Sequence, residues 1–167
     1  VAGARELGIT HEKLHVNVTQ PTLFLSLIVL SCLASTLKIR LPLTRSASTM
    51  SVSYVVDFTA LLLLGPEQAV FVAASSAIAQ STLYVRKENP FYRTLFNIAA
   101  IVLTIEFAGV VFGWSGGDAG DLSWPRIATP LLASATAYFL ANTTSVSIAV
   151  ALTSTQPLVR VWNDNFL

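Results

Sequence analysis

Long runs of apolar residues divide the chain into five segments separated by short polar stretches. Each run approaches the roughly 20 apolar residues that a transmembrane helix needs. A strand with an open edge cannot satisfy its backbone in lipid, so we interpret the runs as helices. The pattern therefore predicts one all-α, polytopic membrane domain over residues 1–167, with about five transmembrane helices. The predicted spans are residues 22–37, 50–64, 67–85, 94–114 and 130–155.

The polar stretches between these runs have the composition of short connections. Gly65-Pro66 is typical of a tight turn and predicts that the second and third helices form an antiparallel hairpin. Residues 38–48 and 86–93 form two basic loops. Residues 115–125 form a loop rich in Gly and Asp between Trp114 and Trp124, two rings suited to the headgroup layer.

Lysine and arginine are unevenly divided between the two sides of this predicted bundle. One side carries seven of them, Lys38, Arg40, Arg45, Arg86, Lys87, Arg93 and Arg160, and the other carries Arg5, Lys13 and Arg126. The positive-inside rule then predicts a cytoplasmic C-terminal segment, 156–167, and an external N-terminal tail, 1–21. Because that tail begins at Val1 instead of a methionine, we expect a further span upstream. A bacterial inner membrane is the predicted location.

Composition supports a membrane protein and excludes several other classes. Hydrophobic residues make up 53% of the chain and charged residues 11%, against about 25% charged in a soluble domain. So few charges cannot cover the surface of a soluble enzyme. The net charge of +1 provides no field for nucleic acid, so the lipid bilayer is the expected partner.

The chain contains one match to a known metal-binding sequence motif, an H-E-x-x-H formed by His11, Glu12 and His15. On a helix these two histidines could bind zinc, with the glutamate as a base. The chain has no other histidine for a third ligand, and the motif precedes the first predicted span. We therefore interpret it as a polar membrane-surface segment and predict no metal site. Without a histidine inside a span, no haem or chlorophyll ligand is expected in the bilayer, and no cofactor is predicted.

Polar and ionisable side chains within the apolar runs are the candidates for a functional site. Such groups are costly in lipid and usually face the interior of a bundle. They are Asp57, Gln80, Asn97, Glu106 and Asn142. Two interpretations remain open: hydrogen bonds that hold the helices together, or an internal polar site that binds a small molecule or relays a proton.

Small residues recur at helical spacing and predict close helix packing. Gly109 and Gly113 form a GxxxG in the fourth run. Ala133, Ala137 and Ala141 begin a stripe in the fifth. The same faces could contact partner membrane proteins or a second copy of the chain.

Three segments carry a resemblance to a known family. They are DFTALLLLGPEQAVFVAASSAIAQ (57–80), NPFYRTLFNIAAIVLT (89–104) and AYFLANTTSVSIAVALT (137–153), followed by VWNDNFL. From about Lys38 onward, the chain resembles the multi-span N-terminal sensor region found ahead of HD-domain phosphohydrolases and GGDEF cyclases of cyclic-di-GMP signalling. The resemblance implies a sensory or anchoring membrane domain without catalytic residues of its own.

Three functional hypotheses follow from the sequence. The first is a non-catalytic sensory or anchoring domain of a bacterial inner-membrane signalling protein. The second is a structural accessory subunit of a larger membrane complex, held by its small-residue faces. The third is a component that binds or transports a small solute through Asp57, Glu106 and Asn142.

Overall fold

The computed structural model describes residues 20–40, 49–83, 91–154 and 156–166. This part of the chain is mainly helical, as the apolar runs predict. Its helices are α1 (Pro21–Ser35), α2 (Ser53–Leu64), α3 (Pro66–Leu83), α4 (Phe91–Trp114), α5 (Ala128–Ser154) and α6 (Leu158–Phe166). Two short strands, β1 (Lys38–Arg40) and β2 (Thr49–Ser51), lie between α1 and α2.

Two of the described helices, α4 and α5, are long and apolar enough to cross a membrane by length and composition. This corrects the expectation of about five spanning helices. Helices α1 and α2 are apolar but have only 15 and 12 residues. At 1.5 Å per residue, α2 is about 18 Å long, against about 30 Å of hydrocarbon. Helix α3 has 18 residues, but its sequence includes Glu67, Gln68 and Gln80.

The beginning of the second predicted span is a strand instead of a helix. Residues Thr49–Ser51 pair antiparallel with Lys38–Arg40, and Met50 lies opposite Ile39. The backbone N–H of Val52 donates to the carbonyl of Leu37, 3.3 Å away, which extends this pairing toward α1 and α2. Because these backbone groups are used in strand pairing, α2 begins only at Ser53.

The turn between α2 and α3 depends on Gly65. Its φ is 85°, a backbone conformation that glycine adopts without the steric cost of a Cβ. Its N–H donates to the Leu61 carbonyl at 3.1 Å, and Pro66 follows as the first residue of α3. The chain thus reverses within one residue, as the Gly-Pro pair predicts.

The loop between α4 and α5 contacts this turn. The N–H of Gly120 donates to the carbonyl of Leu62 at 2.9 Å. Further along the loop, the N–H of Ser123 donates to Asp121 Oδ1 at 3.0 Å. This hydrogen bonding from Ser123 holds the pKa of the exposed Asp121 carboxyl below its usual value. The α2–α3 turn and the α4–α5 loop therefore lie at the same end of the bundle.

Helix α3 lies at the centre of the helix packing and contacts α1, α2 and α4. Helix α5 packs on α4, and α6 packs on α5. The fully buried apolar side chains include Leu61, Val72 and Ile105. Many large apolar side chains are exposed on the outside, among them Leu103, Leu132 and Leu152. An apolar outer surface of this extent is unusual for a monomeric soluble protein and is typical of a membrane or protein contact.

The two glycines of the predicted GxxxG occupy different environments. Gly109 is buried, and a Cβ built on it would lie 2.7 Å from Cβ of Pro66. Gly113 is exposed, and a Cβ there would meet nothing within 4 Å. Of these two glycines, only Gly109 lies at a close helix contact within the described residues. On α5, Ala137 is buried, whereas Ala133 and Ala141 are half-buried.

Candidate functional site

Asp57 joins three helices through hydrogen bonds. It lies on α2 and is fully buried. Ser31 of α1 donates to Asp57 Oδ1 at 2.5 Å, and Ser76 of α3 donates to Oδ2 at 3.1 Å. A buried carboxyl group without donors would lose its hydration uncompensated, so these two hydroxyl groups make its burial possible. We call Asp57, Ser31 and Ser76 the Asp57 junction.

Helical spacing explains why these side chains meet. On α2, Asp57 shares the inner face with Ala60 and Leu61, which lie three and four residues further along and are also fully buried. On α1, the buried Ser31 follows Leu27 by four residues on the same face. The apolar faces that form the core thus bring the polar groups together.

The Ser76 hydroxyl has a second acceptor. Its oxygen lies 2.9 Å from the carbonyl oxygen of Ala73 in the same helix and 3.1 Å from Asp57. A hydroxyl group has one proton to donate, so the two acceptors compete for it.

A group of aromatic side chains connects α2 with α5. The ring of Tyr138 packs edge-on against Phe58 and Tyr54, with centroid distances of 5.6 Å and 6.3 Å. A hydrogen bond joins Tyr54 to the side chain of Asn142, one turn beyond Tyr138 on α5. Tyr138 is buried, and its hydroxyl has no partner among the described residues. The order of these contacts shows that α2 and α5 run in opposite directions.

A cavity of about 80 Å³ lies among α2, α3, α4 and α5. Its apolar walls include Phe96, Ala100 and Ile101. Its polar wall consists of Ser53, Tyr54, Ser76, Gln80, Asn97 and Asn142. These side chains supply both donors and acceptors, and none of the described lining residues carries a charge at neutral pH. We call this space the polar cavity.

The polar cavity adjoins the Asp57 junction. Ser76 belongs to both, because its hydroxyl donates to Asp57 and its side chain lines the cavity. A molecule in the cavity would therefore lie one residue away from the contact that joins α1, α2 and α3.

Four of the five polar residues singled out from the sequence lie at or next to this cavity. Gln80, Asn97 and Asn142 line it, and Asp57 lies behind Ser76. Glu106 does not converge with them, because it is exposed on the outside of α4. The buried residues of α4 include Ile105 and Gly109, and Glu106 falls outside the face that they define.

Sequence reasoning missed Tyr54, Ser31, Ser53 and Ser76. Tyr54 precedes Asp57 by three residues and Ser76 precedes Gln80 by four, so helical spacing places each on a face already marked by a polar residue. Serine is common in apolar helices, however, and nothing in its pattern distinguishes Ser31 or Ser76 from the serines that bond only to their own helix.

The H-E-x-x-H residues His11, Glu12 and His15 lie outside the described residues. Within residues 20–40, 49–83, 91–154 and 156–166, no group of three His, Cys, Asp or Glu side chains is placed to hold a metal ion.

Comparison with known proteins connects the fold to a family. The model of the MASE9 family matches residues 9–166. No curated protein and no solved structure gave a match. The family match covers nearly the whole chain, including every helix that lines the polar cavity. This chain is therefore a member of MASE9, a family of membrane-associated sensor domains.

Proposed function

We propose that the chain is the non-catalytic, multi-pass sensor domain of a bacterial inner-membrane signalling protein, and that the polar cavity is its sensing site. The observation that carries the proposal is the MASE9 match over 9–166. The cavity supports it, because six polar side chains line one space among four helices, with Ser53, Ser76 and Asn142 buried and Asn97 exposed at its edge, in a bundle whose outside is largely apolar. The output that we propose is a cytoplasmic HD or GGDEF domain of cyclic-di-GMP signalling.

In the proposed topology, α4 and α5 cross the bilayer and α1, α2 and α3 are embedded beside them. Support comes from the distribution of basic residues. Arg93 at the start of α4 and Arg160 in α6 lie at the end of the bundle opposite the α4–α5 loop, which carries Arg126. We place the first end in the cytoplasm by the positive-inside rule.

Cysteine accessibility tests this topology. In a Cys32→Ala background, single cysteines are placed at Asp118 in the α4–α5 loop and at Gln156 after α5, both of which are exposed. A membrane-impermeant maleimide should label Asp118→Cys in intact cells and label Gln156→Cys only after the membrane is opened. Labelling of Gln156→Cys in intact cells would contradict the proposed orientation.

The sensing role requires a separate measurement in the full-length gene product. We expect Asn97→Leu, which removes an amide from the polar cavity, to change the cellular concentration of cyclic-di-GMP. The control is Ala135→Leu, at an exposed position of α5 that does not line the cavity. Equal cyclic-di-GMP concentrations in both variants and the parent would count against sensing through this cavity. Stoichiometric co-purification with other membrane subunits, combined with that result, would support an accessory structural role instead.

A further inference from the structure

A second concave region borders the polar cavity. It is a groove of about 460 Å³ between the first half of α4 and the last half of α5. Its walls are largely apolar and include Val146, Val150 and Leu152 of α5. Arg93 on α4 is the charged residue among the described residues that line it. We call this region the α4–α5 groove.

The polar cavity and the α4–α5 groove share part of their walls. Phe96, Asn97 and Val146 line both. One wall is thus common to a compartment rich in amide and hydroxyl groups and to a compartment rich in aliphatic side chains. A ligand that occupied both would need a polar end and an apolar end.

The chemistry of the cavity limits the polar end of such a ligand. No described lining residue of the cavity is charged at neutral pH, and a charged group placed there would lose hydration without an ionic partner. Amides and hydroxyls favour a head group that both donates and accepts hydrogen bonds. One water molecule occupies roughly 10–15 Å³ of cavity volume. The cavity of about 80 Å³ therefore holds a head group of several non-hydrogen atoms.

The position of the groove indicates how a ligand would enter. Leu152 is 78% exposed and Val150 is 39% exposed, so the groove opens on the apolar outer surface of the bundle. In the proposed topology the groove lies toward the cytoplasmic ends of α4 and α5, beside Arg93, and its opening faces the lipid of the cytoplasmic leaflet. An alkyl chain can therefore move from the bilayer into the groove without crossing water.

We propose that the polar cavity and the α4–α5 groove together form one binding site for an uncharged, single-chain amphiphile drawn from the bilayer. Its hydrogen-bonding head occupies the cavity and contacts Asn97 and Asn142, and its alkyl chain lies in the groove along α5. This assignment rests on the proposed membrane sensor function and names the class of molecule sensed.

Photo-crosslinking in phosphatidylcholine liposomes tests the proposal. The probe is 1-monodecanoylglycerol with a diazirine in its chain, and labelled peptides are mapped by mass spectrometry. We expect labelling within α5 residues 146–153. Unlabelled 1-monodecanoylglycerol should compete with the probe. Decanoate has the same chain length and a charged head, and we expect it to need an at least about tenfold higher concentration for the same competition. Glycerol, the head group alone, should not compete.

Matched variants on α5 locate the site. Ala149→Trp places a large ring at a position that lines the groove, and Ala135→Trp places the same ring at an exposed position outside it. We expect Ala149→Trp to lower labelling about tenfold and Ala135→Trp to leave it unchanged. If Ala149→Trp fails to fold, Asn97→Leu provides the second variant. In Asn97→Leu we expect unlabelled 1-monodecanoylglycerol to compete more weakly. We expect labelling by a saturating concentration of the probe to be unchanged.

Three results would overturn the assignment. The first is equal labelling of Ala149→Trp and Ala135→Trp. The second is labelling that maps away from α4 and α5. The third is decanoate competing as well as 1-monodecanoylglycerol, which would place the head group at Arg93 instead of in the cavity. Sensor function is judged separately: binding that leaves the cyclic-di-GMP output unchanged would contradict the proposed function and retain the site.

Discussion

Asp57 is a fully buried carboxyl group whose hydrogen bonds join three helices. Both oxygens accept a hydrogen bond from another helix, Ser31 on one side and Ser76 on the other. Removing one partner of a buried hydrogen bond leaves the other unsatisfied, which costs more than the bond itself contributes. The contribution of Asp57 is therefore measured best by truncation.

Replacing Asp57 with Ala should destabilise the protein by about 1–3 kcal/mol, because it removes the acceptor of the buried Ser31 hydroxyl and the bond from Ser76 to α2, although Ser76 retains the carbonyl of Ala73. The measurement is thermal unfolding of the purified protein in detergent. Glu106→Ala is the matched control, since this carboxylate is exposed on α4. An equal loss of stability in both variants would show that the Asp57 junction does not contribute specifically.

At the scale of the helices, α4 packs closely against the α2–α3 turn. Pro66 begins α3 and lies against Gly109, so the backbone of α4 approaches the turn more closely than a side chain would allow. The turn itself depends on the positive φ of Gly65. Gly109 is therefore required because Pro66 lies so close to it, and Gly65 is required because its own backbone has a positive φ.

Gly109→Ala should lower stability by about 1–3 kcal/mol, because its Cβ would lie 2.7 Å from Cβ of Pro66 and the helices must move apart. Gly113→Ala, one turn away, should be neutral or stabilise the helix by up to about 1 kcal/mol, because alanine favours a helix and the space is open. Chemical denaturation of both variants in the same detergent compares them. A neutral Gly109→Ala would contradict the close contact.

The sequence could predict the positions of the helices but not their lengths relative to the bilayer. Apolar runs identified α4 and α5, and Gly65-Pro66 identified the turn before α3. Hydropathy counted Met50 as part of a span, although its backbone pairs with Ile39. Strand pairing of this kind depends on residues in a separate segment, and a run of apolar residues contains no information about it.

The same distinction applies to the candidate site. Gln80, Asn97 and Asn142 were identified because amides are rare in apolar helices, and the cavity includes all three. Glu106 was selected by the same rule and lies outside the bundle. On α4, the buried residues separate Asn97, four residues before the buried Ile101, from Glu106, which falls off that face, but this pattern is visible only once the inner face of the helix is known.

At the scale of the whole molecule, α6 is the last described helix, and its attachment to the bundle is a distinct contact. Its sequence follows α5 after a short turn, and it packs on α5 through Val161, which is 3% exposed. Val159, two residues earlier, is 71% exposed. Among residues 158–163, whose burial the structure describes, Val161 is buried and Trp162 is half-buried, so we expect docking of α6 to be sensitive to Val161.

Val161→Asp should release α6 from α5, because a carboxylate cannot be buried there without a partner. We expect limited trypsin digestion to cleave after Arg160 several-fold faster than in the parent protein. Val159→Asp changes the charge by the same amount at an exposed position and should leave the cleavage rate near that of the parent. Similar rates for the two variants would show that Val161 does not anchor α6.

The two acceptors of the Ser76 hydroxyl have a consequence for the proposed sensing role. Ser76 has one proton to share between Ala73 in its own helix and Asp57 in the neighbouring one, and both lie at hydrogen-bond distance. In the proposed sensing site, we expect a molecule that offers Ser76 a third acceptor to draw that proton away from Asp57, and a molecule that donates to the Ser76 oxygen to leave the proton directed at Asp57. The Ser76 proton thus controls one hydrogen bond between α2 and α3, while the turn at Gly65 and the apolar core hold the two helices together in either arrangement.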